Sequence, residues 1–437
     1  MTEVVDELSA AGAGGRRPGG VVAVAAGLGV FGAATYGYLG IAGNALGTVA
    51  FAPLSVVWTL LNAVGIGLFL PFEQELGRVT AAGRAVGRGS ASTVRLAAWV
   101  AAGILGAVAL LAAVLHGTLT ARLFAGAGVM VPLLVGALAG MALSYVLRGL
   151  LAGNGSFTRY GAQLAVDGAL RVAAAAVLWA LGVEDVVPYA LVLVAAPLVA
   201  ALVTTPWGAG VLVRPGPPAR AREVTTALGV LVVASLASQL LANAGPLVVQ
   251  VLVEPGAEER TAQFLAALVI ARVPVFLFAA VQAVLLPGLA AQVAAGDRRG
   301  FLRRLGLVTG VTAGLAVAGV AAVAVAGDLV VEVLFGPDFR TGGGLIVLIA
   351  VSGAAFMLAQ LAAQGLLALG GDRWVVTGWL VGLVALVAAC LVPGDPSSVA
   401  AVALVVGAVA ALVLLGVALA VRTARWRATV REGAPDA

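Results

Sequence analysis

The stretch Arg78–Arg95 (RVTAAGRAVGRGSASTVR) decides the fold. It holds four arginines and no acid, and it joins two apolar runs near 49–71 and 94–116. A helix of about 20 mainly apolar residues crosses a bilayer core. Short loops rich in arginine stay on the cytoplasmic side. The stretch therefore reads as a cytoplasmic loop between two membrane spans.

Working outward, ten further runs of similar length follow the same logic, near 21–43, 129–151, 161–183, 187–212, 224–251, 262–287, 304–327, 342–369, 373–392 and 398–421. With the N-terminus in the cytoplasm, twenty of the 25 arginines fall in inner loops and tails, Arg16, Arg17, Arg148 and Arg159 among them. Arg122, Arg260 and Arg340 fall in outer loops, and Arg171 and Arg272 inside spans. Outer loops carry acids instead, including Glu184, Asp185, Glu254 and Asp328. One span more or fewer would scramble this alternation from that point onward. The expectation is an all-α polytopic membrane protein of about 12 transmembrane helices in a bacterial plasma (inner) membrane, with N- and C-termini cytoplasmic.

Composition agrees. The 437 residues are 62% hydrophobic and 10% charged, with a mean hydropathy of +1.11. Soluble domains carry about 25% charged residues. A net charge of +5 would suit nucleic acid, but every basic residue is an arginine beside an apolar run, so no nucleic-acid partner is expected. The single cysteine, Cys390, excludes an internal disulfide and a thiolate cluster. With one histidine, His116, no metal site or cofactor is expected. No credible Ser/His/Asp set or Walker loop occurs, so the chain is not expected to be an enzyme. The N-terminus lacks the short apolar core and cleavage site of a signal peptide, so the first run is kept as a span.

A faint internal repeat sets the domain plan. Arg148–Phe157 (RGLLAGNGSF) resembles Gln364–Trp374 (QGLLALGGDRW). Gly149 and Gly365, and likewise Pro71 and Pro287, are separated by the same 216 residues. Parallel repeats of this kind build two-lobed transporters. The expected organisation is a six-helix lobe at 21–213, a cytoplasmic linker at 214–223 and a second six-helix lobe at 224–421, around a central cavity. Cytoplasmic tails at 1–20 and 422–437 flank them.

Charges inside the bilayer are costly and mark function. Arg272 lies roughly 15 Å into its span, among Ala, Val, Phe and Leu, with no acid within one turn. Pro274 follows and loosens the helix there. An arginine so placed suits an anionic group such as phosphate in a wet cavity. Pairing with an acid on another helix is the alternative. Asp167 and Arg171, four apart, share one helix face and can neutralise each other. Asp167 could instead exchange partners or a proton during transport. Ser235, Gln239, Asn243, Pro246 and Gln250 recur every three to four residues, a polar stripe that suits cavity lining or interhelical contact. Gln364 offers a smaller version. Glu73, Gln74, Glu75 and Arg78 end the second run at the cytoplasmic interface, where a local ion-pair cluster or an inner gate fits. Arginine-rich inner loops would attract anionic lipid headgroups.

The region of the fourth and fifth runs, with Arg148–Phe157, Tyr160 and Asp167–Arg171, resembles bacterial polysaccharide flippases of the multidrug/oligosaccharidyl-lipid/polysaccharide exporter superfamily. So do Ala271–Pro274 and Leu286–Gly288. The likeness covers most of the chain through its twelve-helix, two-lobe plan. It implies alternating access and transfer of an undecaprenyl-linked oligosaccharide or polysaccharide precursor to the outer leaflet. Arg272, with Arg171, would meet the diphosphate, and the stripe Ser235, Gln239, Asn243 and Gln250 the sugars. Asp167, Pro274, Glu73, Arg148 and Gln364 would couple or gate. Membrane lipids and glycan-assembly machinery are the implied partners besides the lipid-linked glycan. Lipid II flippases of the superfamily carry arginines in the first two spans, and its multidrug exporters an acid in the first; both are missing here. Two alternatives remain: a cation-coupled multidrug or small-molecule exporter of the same fold, and a membrane-embedded glycan polymerase or ligase.

Overall fold

Apolar runs of this length have few stable forms in a bilayer, because no water satisfies an open backbone there. The computed structural model describes residues 18–432 apart from 86, 88, 207–212, 217–220, 255, 276–277, 279–288, 290–291 and 294, and among the described residues it contains helices and no strand. The helices follow the expected runs in order. They are α1 (Pro18–Leu60), a π-helical stretch (Leu61–Gly65), α2 (Ile66–Ala85), α3 (Ala91–Val114), α4 (His116–Arg122), α5 (Met130–Gly153), α6 (Phe157–Ala180) and α7 (Val186–Thr204). Then come α8 (Ala221–Asn243), α9 (Gly245–Leu252), α10 (Glu259–Ala271), α11 (Arg298–Phe335), a 3-10 turn (Pro337–Phe339), α12 (Gly343–Ala368), α13 (Asp372–Ala389) and α14 (Pro396–Glu432).

Ten described stretches are long and apolar enough to cross a membrane. One of them, Val22–Arg84, has 63 residues. At about 1.5 Å per residue it is far longer than a ~30 Å core. It bends at Gly47, whose φ of 69° needs a residue without Cβ, so the first two spans meet there without a loop. The all-α, multi-pass expectation holds.

Several boundaries differ from the apolar runs, each for a local reason. Arginine is a good helix former, so α2, α11 and α14 extend into the arginine-rich segments and reach Ala85, Arg298 and Glu432. The sixth helix is shorter than expected. Thr205, ahead of Pro206, is extended (ψ 131°) and closes α7. The seventh is broken between α8 and α9, where Pro246 lies in the first turn of α9. Of the eighth run, α10 and residues 272–275 and 278 are described. Pro287, Arg16, Arg17 and most of the expected tails' termini lie outside the described residues.

The chain divides into two compact units. Among the described residues, the first holds those of 18–266 and 330–340, the second those of 267–329 and 341–432. Within the first, α6 lies along α1: a Cβ at Gly161 would overlap the carbonyl of Ala23, and Gly168 seats Phe31 and Ala34. Such small-residue seams hold helices together where lipid removes the hydrophobic drive. Asn44 Nδ2 donates to the carbonyl of Leu334 at 2.6 Å, and the Phe51 ring meets Phe335 and Phe339 at 6.3 and 5.7 Å. Within the second unit α12 and α13 both pack on α14, the same pairing that α5 and α6 make with α7 in the first.

Candidate functional site

The first unit carries a file of polar groups on one face of α6. Tyr160, Gln163, Asp167 and Arg171 recur at three- and four-residue spacing, over roughly 16 Å of helix. At one end Tyr160 donates its hydroxyl to Glu73 Oε1 at 2.7 Å, and Arg148 Nε donates to Glu73 Oε2 at 2.8 Å. This cluster joins α2, α5 and α6. Close approach makes it possible: a Cβ at Gly149 would sit 2.7 Å from the Glu73 carbonyl oxygen. The guanidinium of Arg148 also lies over the Tyr145 ring, 4.2 Å from its centre. Arg148, expected in an inner loop, is instead 7% exposed inside α5. Burial there is tolerated because Glu73 neutralises it.

At the other end Arg171 grips Asp167 with two hydrogen bonds, Nε to Oδ1 at 2.8 Å and Nη2 to Oδ2 at 3.0 Å. Both side chains are buried. The rings of Phe31 and Trp58 cover the Arg171 guanidinium at 5.1 and 5.9 Å. Between the two clusters Gln163 is 1% exposed, and neither its Oε1 nor its Nε2 has a hydrogen bond among the described residues. Gln163 and the two rings were missed from sequence, and Tyr160 entered only through the resemblance, although the helical spacing of 160, 163, 167 and 171 was there to be read.

The stripe expected on the seventh span is divided. Ser235, Gln239 and Asn243 lie half-buried on α8, and Asn243 Nδ2 donates to the Gln239 carbonyl and Oε1 at 3.0 and 3.2 Å. Gln250 lies beyond the break, on α9, buried with its Nε2 3.5 Å from the Arg122 carbonyl. The neighbouring face of α8 packs on the second span, where a Cβ at Gly67 would meet Leu236 Cα at 2.8 Å. The π-helical turn at 61–65 lies against α8. Such turns recur at functional positions.

In the second unit Arg272 follows the end of α10. Its N–H donates to the Val269 carbonyl at 3.3 Å, and Val275 N–H to its own carbonyl at 3.0 Å. Pro274 is seated against Gly319 of α11, and Val275 lies by Gly353 of α12. Arg272 is half-buried and is not without an interaction partner. Gln364, on α12, has a buried Oε1 without a hydrogen bond among the described residues.

No family model matches the chain. It is 30% identical over 338 residues to "Uncharacterized protein Rv1510" of Mycobacterium tuberculosis (strain ATCC 25618 / H37Rv), covering 74% of each chain. The chain belongs to the same family as this mycobacterial protein. Its fold is similar to that of solved transporters. The inward-facing conformation of a multidrug resistance MATE family transporter of the MOP superfamily matches with a TM-score of 0.71 at 14% identity, over 91% of this chain and 96% of that one. A MOP superfamily transporter from Pyrococcus furiosus Vc1 (DSM3638), distinguished by the reverse polarity of its binding pocket, matches with a TM-score of 0.66 at 14% identity, over 93% and 96%. The chain has the MOP transporter fold.

Proposed function

We propose that the protein is a membrane transporter, not an enzyme, and that it carries a polyprenyl-linked oligosaccharide precursor to the outer leaflet by alternating access. The fold supports transport. The observation that carries the substrate class is the charge of the interior. Arg272 stands at a helix break beside Pro274, deep in an apolar run, as a site for a diphosphate requires. The acids Glu73 and Asp167, which a cationic drug would need, are each bound by an arginine. In this reading Ser235, Gln239, Asn243 and Gln250 meet sugar hydroxyls. Asp167 with Arg171, and Glu73 with Arg148, are pairs whose exchange couples substrate to conformation, and Pro274 and Gln364 belong to the moving region. The arginine distribution supports a plasma-membrane protein with both termini cytoplasmic.

Export of small molecules is the second reading, favoured by the likeness to a multidrug resistance transporter. Deletion of the gene separates the two. The flippase reading expects a lipid-linked oligosaccharide to accumulate and a surface polysaccharide to disappear. Drug sensitivity with an unchanged cell surface would overturn it.

A further inference from the structure

The second unit holds a cavity of about 510 Å³ at its arginine-rich end, lined by Trp374, Leu414, Val421, Arg422, Arg425 and Trp426 among others. The α14 residues among them recur at helical spacing, so the cavity runs roughly 18 Å along the helix. It changes character along that path. Leu414, Val417 and Val421 make an apolar wall, and Val417 and Val421 are 57% and 44% exposed. Arg422 directly follows Val421 and Arg425 comes about one turn later, with two tryptophans in the same lining. An apolar wall that gives way to cations and indole rings matches a membrane leaflet at the hydrocarbon boundary.

The cationic end is built. Arg422 Nη1 donates to the Leu369 carbonyl at 2.7 Å, at the C-terminal end of α12, which fixes the guanidinium at the cavity mouth. Trp426 is held edge-on by Phe301 of α11, 5.6 Å between centres at 89°. Arg298 Nε reaches the Thr423 carbonyl at 3.4 Å. These contacts bring the start of α11, with Arg298, Arg299, Arg303 and Arg304, beside the same end of α14. Asp297, the neighbouring acid, accepts from the Gly300 N–H at 2.8 Å.

We propose that this cavity is a binding site for an anionic phospholipid of the leaflet at the arginine-rich end, distinct from the transport pathway and independent of the substrate assigned above. The phosphate is held by Arg422 and Arg425. Trp374 and Trp426 flank the headgroup, and an acyl chain lies along Val421, Val417 and Leu414. Free phosphate would leave the apolar wall unused, and a zwitterionic lipid would lose the charge match. Basic pockets between helices at this depth suit anionic headgroups.

The test uses the full-length protein, purified, delipidated and examined by native mass spectrometry with phosphatidylglycerol, phosphatidylcholine and undecaprenyl phosphate. Phosphatidylglycerol should bind at least about five-fold more tightly than phosphatidylcholine, the effect expected of one basic side chain. Arg425→Gln should weaken that preference, because Arg422 alone then holds the phosphate, and Arg425→Lys should keep most of it. Leu414→Trp should block the lipid while both arginines remain. Arg425 is exposed, so the Arg425→Gln protein should melt as the wild type does. Equal affinity for the two phospholipids would overturn the proposal. So would an unchanged preference in Arg425→Gln, or displacement of phosphatidylglycerol by equimolar undecaprenyl phosphate.

Discussion

Arg171 illustrates how a charge survives inside an apolar helix. Its two hydrogen bonds to Asp167 and two covering rings replace water. Removing one partner strands the other, a loss of about 3–5 kcal/mol in buried pairs. Asp167→Asn and Arg171→Met should therefore each lower the melting temperature in detergent by several degrees. The double substitution should be milder than either. A double variant no better than the worse single would show that Asp167 has a role beyond pairing. At the opposite end Tyr160→Phe removes one hydrogen bond to the Glu73 carboxylate, worth about 1.5–3 kcal/mol. Glu73→Gln should cost more, because it leaves Arg148 buried without its counter-ion. Equal melting of Tyr160→Phe and Glu73→Gln would contradict that order.

Helices meet in the first unit through missing side chains. Gly161 lies so close to Ala23 that a Cβ overlaps the backbone, whereas Gly103 on α3 faces open space. Gly161→Val should destabilise the protein by about 1–3 kcal/mol, the range for overpacking, and Gly103→Val should leave the melting curve in place. Similar curves for both would mean that α1 and α6 do not meet as described. The broken seventh span gives a second test. In a Cys390→Ala background, single cysteines at Ser235, Gln239 and Asn243 should react with membrane-impermeant thiol reagents, and substrate should slow them. A cysteine at Leu236, packed on Gly67, should stay unreactive. Equal protection of all four would make the stripe interhelical contact rather than cavity lining. Both features show the limit of one-dimensional reading. Hydropathy locates the spans, but it does not see that Pro246 splits one of them, or that arginine continues a helix past the apolar run, as at Arg298 and along α14.

At the scale of the whole molecule, the all-α multi-pass plan was legible because span length and the arginine alternation are both written along the chain. The polar file was only half legible. Asp167 and Arg171 are one turn apart and announce each other. Glu73 and Arg148 are 75 residues apart, and only packing of α2 on α5 shows that Arg148 is a buried partner rather than an orientation signal. In the proposed function this fold carries a lipid-linked anion, and Arg272 receives it. The direct measurement is transport in proteoliposomes, with a fluorescent polyprenyl-diphosphate oligosaccharide on one side and a membrane-impermeant glycan-modifying enzyme on the other. The wild-type protein should make the labelled lipid accessible, and Arg272→Ala, expressed and melting normally, should abolish that transfer. Full transfer by Arg272→Ala would remove Arg272 from the anion site, and no transfer by the wild type while it exports a cationic dye would rule out the lipid-linked substrate.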